Sequence, residues 1–308
     1  MIGEKFNIVQ CKSCNLAFVN PRPSQEKITK YYPDEYYVDA AEWNIERNSV
    51  KELQNRLDYV VKYYAQRRPG KLLDIGIFNG AFVSYVLNAG WDAYGLDPNL
   101  KAISLARKLV PNERLLHGHV ESSPFPPGSF DVVTMWEVLE HTADPVNLLK
   151  TVRRLLSPRG IILISVPNFN SLESRLFRQY WIGLDVPRHL YHFGPSTLGK
   201  MLEKVGLKTT CLETINACEI LEFADPITYG RESLRNVLID FGLYSERTRN
   251  SKQEKGTHRS HQLRHFSHQE WKKAMFRLVE TPLLTIINLI SAASDTNNTI
   301  LAIARKTS

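Results

Sequence analysis

The chain has 308 residues, of which 43% are hydrophobic and 23% are charged, a composition that excludes a disordered or fibrous protein. Its net charge of +7 is concentrated in one segment: residues 231–277 hold eleven Lys and Arg against five Asp and Glu, an excess of six, so the protein is not basic throughout. Four cysteines are too few for a disulfide framework, and the longest apolar run, residues 282–293, is about half the length of a membrane-spanning helix.

Residues 1–47 form a predicted N-terminal extension that is rich in Pro and Tyr. The stretch MIGEKFNIVQCKSC has no apolar segment after its basic residues, so we expect no secretory signal and a cytoplasmic location. Cys11 and Cys14 supply half of a tetrahedral zinc site, while Cys211 and Cys218 lie far along the chain. We interpret the CxxC pair as a remnant, with a zinc site as the alternative.

An alternation of strands and helices fills the predicted core, residues 48–215. It begins with an amphipathic helix at 48–67, in which apolar residues recur at spacings of three and four. Strands are predicted at 71–76, 92–97, 114–118, 130–136, 160–167, 206–215 and 298–306. Helices are predicted at 80–89, 99–109, 144–156 and 196–205. Apolar strands that alternate with helices predict a parallel sheet covered on both faces. The last strand, in 298–308, follows a basic and apolar insertion at 216–297.

Acidic residues and glycines mark a candidate nucleotide site at the ends of the first two core strands. Asp74 ends the first strand, and Gly76 and Gly80 allow the backbone to approach a ligand closely. Asp97 ends the second strand, where a fixed carboxylate can accept both hydroxyl hydrogens of a ribose. The turn contains no basic residue and no GK[ST], which argues against a bound triphosphate.

The stretches LLDIGIFNGAF, YGLDPN and FDVVTMWEVLEH together resemble the class I S-adenosylmethionine-dependent methyltransferases, over about residues 72–207. The likeness is to small-molecule O-methyltransferases, including ubiquinone-biosynthesis-like enzymes. The flanking stretches CKSCNLAFVNPRPS and WIGLDVPRHLYHFGPSTLGKMLEKVGL resemble a subgroup linked to sugar, polysaccharide or lipid-linked substrates. The resemblance implies a Rossmann-like α/β fold whose sheet has seven strands, mostly parallel with an antiparallel last strand.

The resemblance also implies where S-adenosylmethionine would bind. The turn at 74–80 would lie under the methionine moiety, Asp97 would hold the ribose, and the strand end at 135–137 would lie beneath the sulfonium. The implied cofactor-binding residues are Asp74, Gly76, Phe78, Asn79, Gly80, Asp97, Pro98, His119, Val120, Glu121 and Trp136. The product would be S-adenosylhomocysteine.

Two positions depart from the family pattern. Phe78 replaces the middle glycine of DxGxGxG, and we expect the turn to tolerate it if its φ is negative and its ring points away from the ligand or packs on it. His119 replaces the acid that accepts from the adenine amino group, and Glu121 is a candidate substitute.

His189 and His141 are the candidate catalytic bases, because a hydroxyl acceptor needs a base within hydrogen-bond reach. Tyr180, Trp181, Tyr191 and Phe193 are candidate walls of an acceptor pocket. The alternative for His189 is a helix cap or a bond to a backbone carbonyl, and for His141 it is a structural hydrogen bond. Some relatives are thought to use a divalent cation, for which Glu137, Glu140 and His141 would be the ligands. We expect no metal here, since displacement at carbon gains little from one.

The insertion carries most of the net charge, in residues 231–277. His258, His261, His265 and His268 recur at spacings of three and four, which favours a solvated basic helix face over a metal site. We expect an anionic or lipid-linked acceptor, and no nucleic acid. For residues 231–293 we keep two alternatives, contact with a membrane surface and packing within the insertion or a dimer.

These patterns predict an enzyme that transfers a methyl group to a small molecule, with a hydroxyl oxygen of a sugar, glycolipid or lipid-linked or prenylated compound as the acceptor. The alternatives are N- or C-methylation, and a catalytically silent adaptor that binds S-adenosylmethionine or S-adenosylhomocysteine.

Overall fold

The computed structural model describes residues 5–33, 50–66, 68–220, 226–240 and 268–307. Its strands are β1 (Ile8–Gln10), β2 (Ala17–Val19), β3 (Lys71–Ile75), β4 (Asp92–Asp97), β5 (Leu115–His117), β6 (Phe130–Trp136), β7 (Leu156–Pro167), β8 (Tyr191–His192), β9 (Leu207–Ile215) and β10 (Thr299–Lys306). Its α-helices are α1 (Gln25–Ile28), α2 (Val50–Tyr64), α3 (Ala81–Asn88), α4 (Leu100–Ala106), α5 (Pro145–Leu155), α6 (Leu172–Phe177), α7 (Pro195–Lys204), α8 (Pro226–Asp240) and α9 (His268–Ala293).

The seven predicted core strands form one sheet in the order β5-β4-β3-β6-β7-β10-β9. The pairs β3–β4, β3–β6, β4–β5 and β6–β7 are parallel, and β10 runs antiparallel to both β7 and β9. Each strand and flanking helix begins and ends within four residues of its predicted position. The predicted fold class, a mostly parallel sheet with an antiparallel last strand, is therefore confirmed.

Helices cover both faces because the central strands are apolar on both sides. In β10, Leu301 and Ile303 face the cluster that contains α2, α3 and α4, while Ile300 and Ala302 face the cluster that contains α5 and α7. This alternation is the two-residue period of a strand. Because the side chains on both faces are buried, the sheet has the core of a doubly covered α/β fold.

A second, smaller sheet connects the N-terminal extension to the core. The strands β1 and β2 form an antiparallel hairpin, and β2 pairs antiparallel with β8. Cys11 and Cys14 lie in the turn of this hairpin. No strand is predicted here from the sequence, because residues 1–47 show little periodicity and lie outside the alternation of strands and helices. The hairpin brings the N-terminal extension beside the segment that carries His189.

Helices α8 and α9 form the described part of the insertion. On the inner side of α9, Leu284 and Ile287 pack with Phe177 and Trp181 in a third apolar cluster. Among the described helices, none combines the length and hydropathy needed to cross a bilayer. The predicted row of His258, His261 and His265 lies outside the described residues. The domain boundaries at 47, 215 and 297 stay a prediction.

Candidate functional site

The carboxyl ends of β3, β4, β5 and β6 meet at one edge of the sheet. Strand β3 has β4 on one side and β6 on the other, so the chain order reverses at this point. In open α/β sheets this reversal leaves a crevice beyond the strand ends, and ligands bind there. The implied cofactor residues follow these four strands, so the fold brings them to one place.

The turn after β3 has three residues with left-handed backbone conformations. Gly76 has a φ of +79°, Phe78 of +50° and Gly80 of +76°. The negative φ that was the condition for tolerating Phe78 is therefore not met. The turn retains the shape that glycines usually provide, since Gly76 N donates to Leu96 O (2.8 Å) and Gly80 N donates to Ile77 O (2.8 Å). Phe78 adopts this shape despite its side chain.

Asp97 is fixed at the end of β4 by backbone groups. Its Oδ1 accepts from Asn99 N (2.8 Å), and its Oδ2 faces Phe78 N at 3.4 Å. Burial raises its pKa to about 6, although the two backbone N–H groups favour the charged form. A carboxylate oxygen can accept more than one hydrogen bond, so both oxygens keep capacity for ribose hydroxyls. The residue fits its implied role.

The carboxyl of Asp74 is held at the end of β3 by a hydrogen bond from the neighbouring strand β6. Thr134 Oγ1 donates to Asp74 Oδ1 at 2.6 Å, and the carboxyl is almost fully buried. Burial raises its pKa to about 7. Asn79 stabilises the start of α3, since its Oδ1 accepts from Ala81 N at 3.0 Å.

The predicted adenine side is formed by the loop after β5 and by Pro98. Gly118 N donates to Asp97 O (3.0 Å), and a ring nitrogen of His117 lies 3.1 Å from Pro98 O. Val120 is buried, whereas His119 and Glu121 are exposed. Both side chains are therefore accessible to the edge of an adenine, and their role in binding it stays a proposal.

Trp136 ends β6 and is buried, with its ring edge-on to Phe82 at 5.7 Å between centroids. The guanidinium of Arg56, on α2, lies 5.4 Å from the Trp136 ring centroid. The positive charge of Arg56 lowers the pKa of Asp74, but burial raises that pKa by more. Arg56 could not be found from the sequence, because no short-range pattern connects α2 with β6.

The turn after β6 holds two acidic residues, of which Glu140 is buried and Glu137 is half-buried. Glu137 has a φ of +54°, and its N–H donates to Ser165 Oγ at 3.0 Å. Within the described part of the chain, no donor is in hydrogen-bond geometry with either carboxylate oxygen of Glu140. Burial raises the pKa of Glu137 to about 7, and burial together with the charge of Glu137 raises the pKa of Glu140 well above its usual value.

Both catalytic candidates converge on Glu140. The Nε2 atoms of His189 and His141 lie 3.9 Å and 4.0 Å from Glu140 Oε1. His189 Nδ1 is 2.9 Å from Gly183 O, so the backbone-carbonyl bond expected as its alternative is present. His141 Nδ1 is 3.1 Å from Arg188 O and 2.9 Å from Tyr32 Oη. Burial lowers the pKa of each histidine to about 3, so both are neutral at pH 7.

The backbone fixes this convergence. Leu190 N donates to Glu140 O (2.8 Å), and His189 N donates to Asp185 O (3.0 Å). The contact of Tyr32 with His141 joins residues 109 positions apart, which no local sequence signal could reveal.

One predicted pocket wall is placed differently. Phe193 is 1% exposed and packs with Leu198 in the core beside α7, so it belongs to the core. Trp181 is buried in the cluster beneath α9, and Tyr191 Oη receives a bond from Arg22.

The comparisons with known proteins identify the family of the chain. A family model described as a methyltransferase domain matches residues 46–212. The chain is 29% identical over 170 residues to a ubiquinone biosynthesis O-methyltransferase from Aliivibrio fischeri (strain MJ11), covering 50% of this chain and 70% of that protein. Over 206 residues it is 29% identical to a protein of the same name from Vibrio cholerae serotype O1 (strain ATCC 39541), covering 61% and 80%.

Solved structures share the fold at lower identity. A SAM-dependent methyltransferase from Archaeoglobus fulgidus is 19% identical, with a TM-score of 0.52, and covers 89% of this chain and 100% of that chain. Phosphoethanolamine N-methyltransferase 2 from Haemonchus contortus, in complex with S-adenosyl-L-methionine, is 19% identical with a TM-score of 0.56 and covers 95% and 62%.

Proposed function

The chain belongs to the methyltransferase domain family and is an S-adenosylmethionine-dependent enzyme, and from this premise we propose that it methylates a hydroxyl oxygen of a small molecule. The acceptor class that we propose is a sugar, a glycolipid or a lipid-linked or prenylated compound. The observation that carries the proposal is the joint position of Asp97 at the end of β4 and the Glu140–His141–His189 group after β6. Asp97 fits the cofactor ribose, and the Glu140–His141–His189 group offers polar groups for an acceptor.

The residues at the strand ends fit S-adenosylmethionine, which supplies a methyl group on a positively charged sulfur. Asp97 would accept from the ribose, and the turn at 74–80 would lie under the methionine moiety. The aromatic ring of Trp136, the buried carboxyl of Asp74 and the carboxyl of half-buried Glu137 suit a cation. The remaining tasks of the protein are to align the acceptor with the methyl group and to exclude water.

The proposed acceptor side lies next to β6. Glu140 and His189 are buried here and His141 is half-buried, and the donor atoms of the three residues lie within 4.8 Å of one another. We propose that His189 and His141 take part in removing the acceptor's proton, which a sugar or aliphatic hydroxyl loses reluctantly.

Binding and turnover test the proposal separately. Titration calorimetry should show S-adenosylmethionine binding that is weakened in Asp97→Ala. Incubation of extracts with a methyl-labelled donor should then give a labelled product and S-adenosylhomocysteine. Binding without any S-adenosylhomocysteine would favour a silent adaptor, and label on nitrogen or carbon would favour the other methylation classes.

The outer face of α9 favours a lipid-linked acceptor at a membrane surface. Leu283, Ile286, Leu289 and Ile290 are 46%, 53%, 65% and 50% exposed, and they follow a basic stretch in the sequence. Apolar residues beside basic ones are typical of helices that lie in an interface containing anionic lipid.

Flotation with anionic and neutral liposomes tests this contact. We expect binding to anionic liposomes that Ile286→Asp/Leu289→Asp abolishes. Leu109→Asp is the matched control, because Leu109 is 50% exposed but lies near the end of α4. If neither liposome binds and the α9 variant instead separates a dimer in sedimentation, packing between copies is the correct interpretation.

A further inference from the structure

The N-terminal extension reaches the proposed acceptor side through Tyr32. The phenol oxygen of Tyr32, Oη, lies 2.9 Å from Nδ1 of His141, and the two rings meet edge to face with their centroids 6.2 Å apart. Tyr32 is half-buried, and the side chain of His141 is 25% exposed. The match to the methyltransferase domain family begins at residue 46, so it assigns no role to Tyr32.

Hydrogen bonds fix the extension against β8 and against the loop that follows β6. In the small sheet, Val19 N donates to Leu190 O at 3.0 Å, where β2 pairs with β8. Arg22 donates from one guanidinium nitrogen, Nη1, to Ala143 O (2.9 Å) and to Tyr191 Oη (2.6 Å). The extension is therefore hydrogen-bonded to the core beside both catalytic candidates.

The turn that carries Tyr32 is anchored by the residue before it. This turn follows α1 as a single 3-10 turn, Thr29–Tyr31. Tyr31 is 9% exposed, and its ring meets that of Phe6 edge to face with centroids 5.9 Å apart. Consecutive residues of the extension thus place one ring against Phe6 and the next against His141.

Two oxygens lie at hydrogen-bond distance from Nδ1 of His141. Arg188 O is 3.1 Å away, and a backbone carbonyl can only accept, so Nδ1 carries the hydrogen. A neutral imidazole has one N–H hydrogen, so Nε2 presents a lone pair on the side of Glu140. Tyr32 Oη, at 2.9 Å, is a second oxygen that can accept the Nδ1 hydrogen. The hydrogen lies between two oxygens, which fixes the plane of the ring.

We propose that Tyr32 is a positioning residue for methyl transfer, which holds the imidazole of His141 so that Nε2 faces the hydroxyl of the methyl acceptor. The inference rests on the proposed function, in which His141 takes part in removing the proton of that hydroxyl. It gives the N-terminal extension a part in the reaction, because the extension supplies one of the two oxygens that orient the ring.

The contact gains strength during the step that it supports. Nε2 of His141 takes the proton of the hydroxyl, and the oxygen, left with the electron pair of its O–H bond, attacks the methyl carbon. The methyl–sulfur bond breaks, and its electron pair stays on the sulfur of S-adenosylhomocysteine. The imidazole is then positively charged, and hydrogen bonds from charged donors are about twice as strong as those from neutral ones. Tyr32 therefore stabilises the ring more after proton transfer than before it.

Nitrogen-15 NMR of the full chain, with labelled histidine and bound S-adenosylhomocysteine, tests the positioning without a methyl acceptor. His141→Gln identifies the signals of His141. Tyr32→Phe keeps the ring and removes the hydroxyl, so the Nδ1 hydrogen of His141 should exchange with water about threefold to tenfold faster, the worth of one net hydrogen bond. The Nδ1 hydrogen of His189 faces Gly183 O and is the internal reference, so its exchange should not change.

Tyr63→Phe is the matched control, because it removes a phenol hydroxyl that donates to Glu213 Oε1 (3.1 Å), on β9. It should leave the signals of both histidines unchanged. With the methyl acceptor that the labelled-donor experiment isolates, Tyr32→Phe should lower kcat by about tenfold or more, because the proton acceptor is misplaced. The KM for S-adenosylmethionine should stay within about twofold, because cofactor binding is untouched.

Three NMR results would overturn the inference: a hydrogen on Nε2 of His141 in place of Nδ1, unchanged exchange in Tyr32→Phe, or an equal acceleration at His189, which would mean a general loosening of the site. Faster exchange at His141 with an unchanged kcat would overturn the catalytic part of the inference. A protein that forms no S-adenosylhomocysteine with any acceptor would overturn the proposed function, while the NMR measurement would still decide whether Tyr32 positions His141.

Discussion

The backbone of Phe78 has a φ of +50°, a region in which the Cβ of an L residue crowds the following carbonyl. Such strain costs about 1–2 kcal/mol and persists where the surroundings enforce it. Here the surroundings are the turn between two left-handed glycines and the carboxylate of Asp97, 3.4 Å from the Phe78 N–H. Because that N–H helps to position Asp97, the strain is stored beside the predicted ribose site.

Replacing Phe78 by glycine removes the strain but keeps the N–H that faces Asp97. We expect Phe78→Gly to change S-adenosylmethionine affinity by less than about tenfold, or about 1.4 kcal/mol. Asp97→Ala should weaken binding further, because it removes the ribose acceptor. Phe78→Ala separates ring from backbone, since it keeps the strain and loses the ring. Calorimetry in which Phe78→Gly binds worse than Asp97→Ala would disprove this account of the turn.

The raised pKa of Asp97 also predicts how cofactor binding depends on pH. Its pKa is raised to about 6 by burial, so the carboxyl becomes protonated as the pH falls through 6 and can no longer accept with both oxygens. The contribution of Asp97 to S-adenosylmethionine affinity should therefore be constant above about pH 7 and fall by up to about tenfold per pH unit well below pH 6. Asp97→Asn, which cannot ionise, should bind more weakly and without this dependence. An unchanged pH profile in Asp97→Asn would assign the titration to another group, such as Asp74 or Glu137.

At the scale of elements, the sequence was sufficient wherever strands alternate with helices. The seven core strands and their flanking helices were predictable, because that alternation also identifies the three-residue strand β5. The hairpin of β1 and β2 and the two-residue strand β8 were not, because each is short and lies outside the alternation. For the site, the acids at strand ends could be read from order and spacing. The convergence of His141 and His189 on Glu140 could not, since it depends on the tertiary position of residues 185–190.

Gly80 is the N-cap of helix α3, and the fold requires a glycine there for two reasons. Its φ is +76°, and an added Cβ would lie 2.7 Å from Ala106 Cβ and 3.0 Å from Ala106 Cα. Gly90, just after the same helix, has a φ of +87° but nothing within 4 Å of an added Cβ. The two positions therefore share backbone strain and differ in crowding.

We expect Gly90→Ala to lower the free energy of unfolding by about 1–2 kcal/mol through strain alone. Gly80→Ala should cost about 1–3 kcal/mol more, because α4 must move away from the turn. Urea denaturation measures both, and only Gly80→Ala should weaken S-adenosylmethionine binding. Equal decreases in the free energy of unfolding would mean that α4 moves aside at little cost and that its contact with Gly80 does not position the turn.

At the scale of the whole molecule, the insertion starts and ends at adjacent points of the sheet. Strand β10 lies between β7 and β9, and Ile215 at the end of β9 pairs with Thr299 at the start of β10. Residues just before β10 return to the same place, since Thr214 Oγ1 donates to Asp295 Oδ1 at 2.7 Å. The insertion touches the segment after α6: Ile182 N donates to Ser233 Oγ (3.1 Å), and Leu284 packs on Trp181. It therefore covers the loop whose Gly183 carbonyl orients His189, on the proposed acceptor side.

This geometry predicts that the insertion can be removed without losing the cofactor site. Replacing residues 222–293 by about ten Gly and Ser residues, which span about 17 Å on average, leaves the two sheet ends joined. We expect S-adenosylhomocysteine affinity to stay within about tenfold, while liposome flotation and acceptor turnover are lost. Deletion of residues 299–308 is the contrasting variant, because it removes an interior strand and should prevent folding. Loss of S-adenosylhomocysteine binding in a soluble, folded insertion variant would show that core and insertion form one unit and that the predicted boundary at 215 is wrong.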